Sequence, residues 1–131
     1  MKVLYESKFL KILFDQERSY MKVLRTKETE FYTDKEYLQE QKIWRDLVEK
    51  TKPKYALIDQ REFAYIIPPD IQQIIQQTTI HSAIKNKLKK LAIVEAKDIF
   101  TKVSTNQLFE NVAIELKFFK DINQAEKWIF E

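Results

Sequence analysis

A handful of carboxylates and one guanidinium stand where an α/β protein would do chemistry. Asp59, Arg61 and Glu62 follow the apolar run Tyr55-Ala56-Leu57-Ile58; Asp70 comes after two prolines; Glu95 and Asp98 follow a second apolar run, Leu91-Ala92-Ile93-Val94. Carboxylates brought together at one sheet edge can act as general acid and base or bind Mg²⁺. The planar fork of Arg61 suits an anion or a partner's carboxylate. A plainer reading is local: Asp59 accepts backbone N–H groups or pairs with a neighbour, as charged residues beside buried strands commonly do. Asp70 falls in the first turn of a helix, where its charge complements the dipole by ~0.3–1 kcal/mol and repels an anionic ligand. His81 is the sole histidine, with no partner at metal or triad spacing, and reads as a helix-surface residue. Lys85, Lys87, Lys89 and Lys90 could meet an acidic partner or an anionic membrane surface, but they also suit a solvated helix C-terminus.

Composition removes several alternatives. There is no cysteine, which excludes disulfides, thiol catalysis and iron–sulfur ligation, and fits a reducing cytoplasm. There is no glycine either. A dinucleotide fingerprint, a P-loop and a nucleophile elbow all need glycine for positive φ or close backbone approach, so none is present in its usual form. Tight turns are expected to use Asn, Asp and Pro instead. The formal charge of +3 is spread through a chain in which acidic residues are mixed with basic ones, giving no concentrated face for nucleic acid. The first residues are charged too early for a signal peptide, and no run approaches the ~20 apolar residues of a membrane span.

The elements that must position these residues follow from periodicity. Three β-rich runs, around Val3–Tyr5, Phe9–Phe14 and Tyr20–Arg25, come first. The polar stretch Asp15–Ser19 between the last two has hairpin length and predicts an antiparallel pair at a sheet edge. Thr33-Asp34-Lys35-Glu36 is a capping box opening a helix striped with Tyr37, Leu38, Ile43, Trp44, Leu47 and Val48, which Pro53 ends. Tyr55–Asp59 is a buried strand. Pro68-Pro69 starts a helix on Ile71, Ile74 and Ile75; Ile80, Ala83 and Ile84 are offset from that stripe, predicting a bend or break near Thr78-Thr79. Leu91–Val94 is continuously apolar and expects cover on both faces, as parallel strands have. Asp98–Lys102 reads as a short helix. Ser104-Thr105-Asn106-Gln107 reads as a further capping box, Val112–Phe119 as a strand and Asp121 as the cap of a last helix bearing Ala125, Trp128 and Ile129. The sum is a single α/β domain over residues 1–131: a mixed four- to five-stranded sheet, an antiparallel N-terminal hairpin, parallel central strands and about four helices.

Particular residues resemble the STAS-like domains, the fold of anti-sigma-factor antagonists, and more narrowly a small single-domain bacterial branch. They are Trp44, Tyr55-Ala-Leu-Ile-Asp59 with Arg61, Pro69-Asp70, Lys90-Leu-Ala-Ile-Val94, Asp98-Ile-Phe100, Phe118-Phe119 and Ala125-Glu-Lys-Trp128. The resemblance covers nearly the whole chain and implies the fold and a regulatory binding surface. The antagonists carry a phosphorylatable serine in an Asp-Ser-Ser/Thr-Gly motif at the start of the helix; here that stretch is Ile67-Pro68-Pro69-Asp70, without a hydroxyl. The phospho-switch is therefore not carried over.

In open α/β sheets ligands and partners bind beyond the carboxyl ends of the strands. The expected binding residues are Asp59, Arg61, Phe63, Tyr65, Ile67 and Asp70, with Phe63, Tyr65, Ile66 and Ile67 supplying an exposed apolar patch. The expected function is a non-enzymatic cytoplasmic module contacting another protein or a second copy of itself, with no cofactor, metal, nucleic acid or membrane span. The alternative is a small-molecule or lipid-binding domain with an apolar cavity under the first and second helices.

Overall fold

The computed structural model describes all residues, Met1–Glu131. Six strands, β1 (Lys2–Glu6), β2 (Leu10–Asp15), β3 (Tyr20–Arg25), β4 (Tyr55–Asp59), β5 (Lys90–Val94) and β6 (Glu115–Phe119), lie in one sheet in sequence order. β1–β2 and β2–β3 are antiparallel; β3–β4, β4–β5 and β5–β6 are parallel. The α/β class and the mixed sheet are as expected, with six strands instead of four to five. The N-terminal run pairs fully with β2 across a bulge between Val3 and Tyr5. The hairpin β2–β3 is therefore one strand in from the edge.

Helices α1 (Asp34–Thr51), α2 (Pro69–Ile75), α3 (His81–Lys85), α4 (Ile99–Leu108) and α5 (Ile122–Ile129) complete the chain. α2 and α3 form one rod, joined by a π turn over Gln76–Ile80. That turn is the predicted break: one extra residue shifts the buried stripe from Ile71 and Ile75 to Ile80 and Ala83, a step of five from Ile75 to Ile80. The predicted capping box opens α1, with Thr33 accepting from the Glu36 N–H and Glu36 accepting from the Thr33 N–H at 3.0 Å.

A sheet that advances in one direction through right-handed crossovers carries every crossover helix on the same face. α1, the α2–α3 rod and α4 accordingly share one side. Its core joins Ile12, Met21, Val23, Val48, Ala56, Ile58 and Ile93 to a second cluster around Phe9, Tyr37, Phe63, Ile71 and Ile75. The other side is covered by α5 alone, on Tyr20, Leu57, Ala92 and Val94. Register fixes which side chain goes where: Ala56 lies opposite Leu91 and Ile58 opposite Ile93, facing α1, while Leu57 and Ala92 face α5.

Two local expectations fail for physical reasons. Ser104 opens no helix: α4 runs unbroken from its cap Asp98, which accepts from the Thr101 N–H at 2.9 Å. The Ser104 hydroxyl donates to the Thr101 carbonyl at 3.0 Å and accepts from the Ile67 N–H at 3.2 Å, so a tertiary contact replaces the capping role. The left-handed positions are Ser19, Lys52, Lys87 and Asn111, so two lysines and a serine take what glycine would take without steric penalty.

Candidate functional site

The strand-end residues close on themselves. Arg61 donates to Asp59 through Nε at 3.0 Å and Nη2 at 2.7 Å, and its backbone N–H reaches Asp59 Oδ1 at 3.1 Å. The fork that could hold an anion is engaged by its own neighbour, which also raises the Arg61 pKa. Lys97 binds Glu62 at 2.7 Å and Lys102 binds Glu95 at 3.1 Å, while Asp98 caps α4. No three His, Asp or Glu side chains gather where a metal ion could be held. Phe63, Tyr65 and Ile67 are buried, so the exposed patch expected there does not form; only Ile66 of that segment stands out to solvent. The segment turns inward because Phe63, Tyr65 and Tyr37 pack together, Tyr37–Tyr65 at 4.6 Å between ring centres, and the Tyr65 hydroxyl donates to Asp34 at 2.6 Å. Asp70 is exposed in the first turn of α2.

The concave feature of the molecule lies elsewhere, between the sheet and the helices above it. Its floor is Leu10 and Ile12 of β2, Val23 and Arg25 of β3, Ile58 at β4 with Gln60 just beyond, and Leu91 of β5. Its roof is Tyr37, Glu40, Gln41 and Trp44 of α1 with Ile75, Thr79, Ile80 and Ala83 of the α2–α3 rod. Leu108, Phe109, Val112 and Ile114 complete the wall; the last three are only half-buried and mark the side nearest solvent. The space measures about 660 Å³ including its open mouth, of which about 50 Å³ admits the centre of a water molecule. Fourteen of its 19 lining residues are apolar. At ~24 cal/mol per Å³, leaving the inner 50 Å³ unpacked forgoes on the order of 1 kcal/mol.

The π turn places Thr79 and Ile80 in the roof. Arg45 of α1 donates to Thr79 at 3.0 Å, Gln72 donates to Gln107 Oε1 of α4 at 3.3 Å, and Gln76 to the Leu108 carbonyl at 3.2 Å. These bonds tie the rod to α1 and α4 beside the cavity. π turns are common at functional sites for this reason: they re-aim side chains inside a helix.

The polar atoms of the cavity divide into two groups. Glu40 is fully engaged: Tyr5 and Ser7 donate to Oε2 at 2.7 and 2.6 Å, and Tyr32 donates to Oε1. Arg25, Trp44 and Gln60 are not. Arg25 is only 9% exposed, yet its Nε and Nη1 find no hydrogen-bond partner, and no carboxylate pairs with it. Its guanidinium lies 4.5 Å from the Phe63 ring centre and 5.7 Å from that of Tyr37. Trp44 Nε1 and Gln60 Oε1 are likewise buried and unpartnered. An unmet buried group costs about 1–3 kcal/mol, more when charged, so three such residues around one cavity call for a physical explanation. Burial pushes the Tyr37 hydroxyl up to about 12, against the downward pull of the Arg25 charge.

Of the residues expected from the sequence, Phe63 alone touches this site, as the platform under Arg25. Arg25, Glu40, Gln41 and Gln60 were missed, although a signal existed. Arg25 continues the inward alternation Met21, Val23, and Gln60 continues Ala56, Ile58. Glu40 and Gln41 lie on the helix face that buries Tyr37, Trp44 and Val48. Comparison with protein-family models, with characterised proteins and with solved structures found no match.

Proposed function

We propose that this protein is a non-enzymatic module that binds a small molecule in the cavity between its sheet and the roof of α1 and α2–α3. The carrying observation is the cavity itself: an apolar recess with a few convergent polar groups, the usual anatomy of a ligand pocket. Its inner volume decides between ligand sizes. A water needs ~10–15 Å³ of such space. The 50 Å³ here matches a few waters or a short ligand, and disfavours a long-chain lipid. Contact through the Asp59–Asp70 segment is the weaker reading, because Phe63, Tyr65 and Ile67 are committed to the core and Arg61 to Asp59. A STAS-like kinship belongs to the same proposal; a mixed sheet with an antiparallel start and parallel remainder supports it.

Ligand-observed NMR with hexanoate and hexan-1-ol as probes tests the reading. At least one probe binds the unmodified protein, and Ala83→Leu, which fills the recess from its roof, removes that binding while the fold persists. Absence of binding by both probes, or binding indifferent to Ala83→Leu, would reject the cavity as a ligand site.

A further inference from the structure

We infer that the ligand of this cavity is a small amphipathic monocarboxylate, its anion received by Arg25 and its apolar body by Ile12, Val23, Ile58 and Leu91. The inference rests on the cavity being a ligand site, as proposed above, and adds the chemical class.

The argument begins with the charge. Arginine is almost never buried without a partner, because the desolvation of the guanidinium must be repaid by an anion or by hydrogen bonds. Elsewhere in this molecule inward-reaching cations obey that rule. Lys22 meets Glu126 at 3.3 Å, and Lys90 donates to the Trp128 carbonyl at 3.0 Å. Among the cations, Arg25 alone combines burial with orphaned nitrogens. Glu40, the one acid of the cavity lining, has both oxygens engaged by Tyr5, Ser7 and Tyr32 and forms no ion pair with Arg25.

The balance of donors and acceptors gives the sign. The unpartnered atoms at the cavity are three donors, Arg25 Nε, Arg25 Nη1 and Trp44 Nε1, against one acceptor, Gln60 Oε1. A ligand that completes them must be rich in acceptors. A single cation in a mostly apolar lining matches one negative charge, whereas a phosphate dianion would need further donors or a second cation. The rings of Phe63 and Tyr37 hold the guanidinium plane in place, so little ordering remains to be done when the anion arrives.

Calorimetric titration of hexanoate and hexan-1-ol into the wild-type protein, Arg25→Met and Arg25→Lys tests this. The wild type should prefer the acid by roughly ten- to a hundred-fold, the range of a charge-assisted hydrogen bond in a buried site. Arg25→Met loses the preference; Arg25→Lys keeps part of it. Equal affinity for acid and alcohol in the wild type would overturn the inference while leaving the cavity reading intact. Binding of neither probe would remove both. The wild-type comparison decides the matter even if Arg25→Met fails to fold.

Discussion

The two faces of the sheet are built from the same kinds of side chain and yet end differently. Under α5, Tyr20, Leu57, Ala92, Val94, Ala125 and Ile129 pack into one cluster, and the polar groups there are matched: the Tyr20 hydroxyl and Lys22 both donate to Glu126. Under α1 and the α2–α3 rod lies a cavity, and every buried side-chain atom without a partner, on Arg25, Trp44, Gln60 and Thr105, belongs to this side. Imperfect packing spread at random would mark both faces. Its confinement to one face is what the proposed binding function requires, with a well-matched core under α5 and an incompletely matched one under α1.

Raising the pH probes both faces together and has the largest expected effect. Burial raises the pKa of Tyr20 under α5 and of Tyr32, Tyr37 and Tyr65 on the α1 side, Tyr37 to about 12 and the others further. A phenol whose folded pKa exceeds its unfolded value, 10.0, stabilises fully below that pH and loses its contribution as pH climbs toward the folded value. Each such phenol costs about 1.4 kcal/mol per pH unit above that point, so stability should fall by several kcal/mol within a unit or two. Denaturant melts read alongside tyrosinate absorbance check this; ionisation of all six tyrosines near 10 with the fold intact would contradict the assigned burial.

A matched pair of substitutions sharpens the contrast. Ala125 and Ala83 are both buried, on α5 and on the cavity roof. Ala125→Leu should destabilise by about 1–3 kcal/mol, because the added carbons have no room. Ala83→Leu should change stability by less than about 0.5 kcal/mol or raise it, since the same carbons enter existing space. Equal costs in chemical denaturation would erase the distinction between the faces. Arg25→Met should leave the ligand-free melting temperature unchanged or higher, because it removes a buried cation that no protein group neutralises. A lower melting temperature would recast Arg25 as a structural residue. Outside either face, Lys52→Gly should add about 0.5–1 kcal/mol by relieving a left-handed lysine at the end of α1.

Much of the frame was legible in the chain. Tyr55–Asp59 and Leu91–Val94 announced parallel neighbours through continuous apolarity, and they pair as such. The offset of Ile80 and Ala83 from Ile71 and Ile75 announced a bend or break near Thr78-Thr79, which takes the form of a π turn. The site was harder to see, because reasoning from strand ends favours charges that stand beside apolar runs, such as Asp59 and Arg61. Those charges satisfy each other. The informative ones sit inside the alternation, where Arg25 and Gln60 occupy slots that Met21, Val23, Ala56 and Ile58 mark as inward. Apolar side chains in the Phe63–Ile67 segment likewise read as a surface patch, because the sequence does not show that the rings of Tyr32 and Tyr37 wait above them.

The chain holds two tryptophans, one per face: Trp44 on the cavity roof, its indole N–H unpartnered, and Trp128 on α5. Their two indole N–H resonances therefore report the faces separately. On titration with hexanoate the Trp44 signal should shift progressively to saturation while that of Trp128 stays in place. Movement of Trp128 alone, or of neither, would contradict the account.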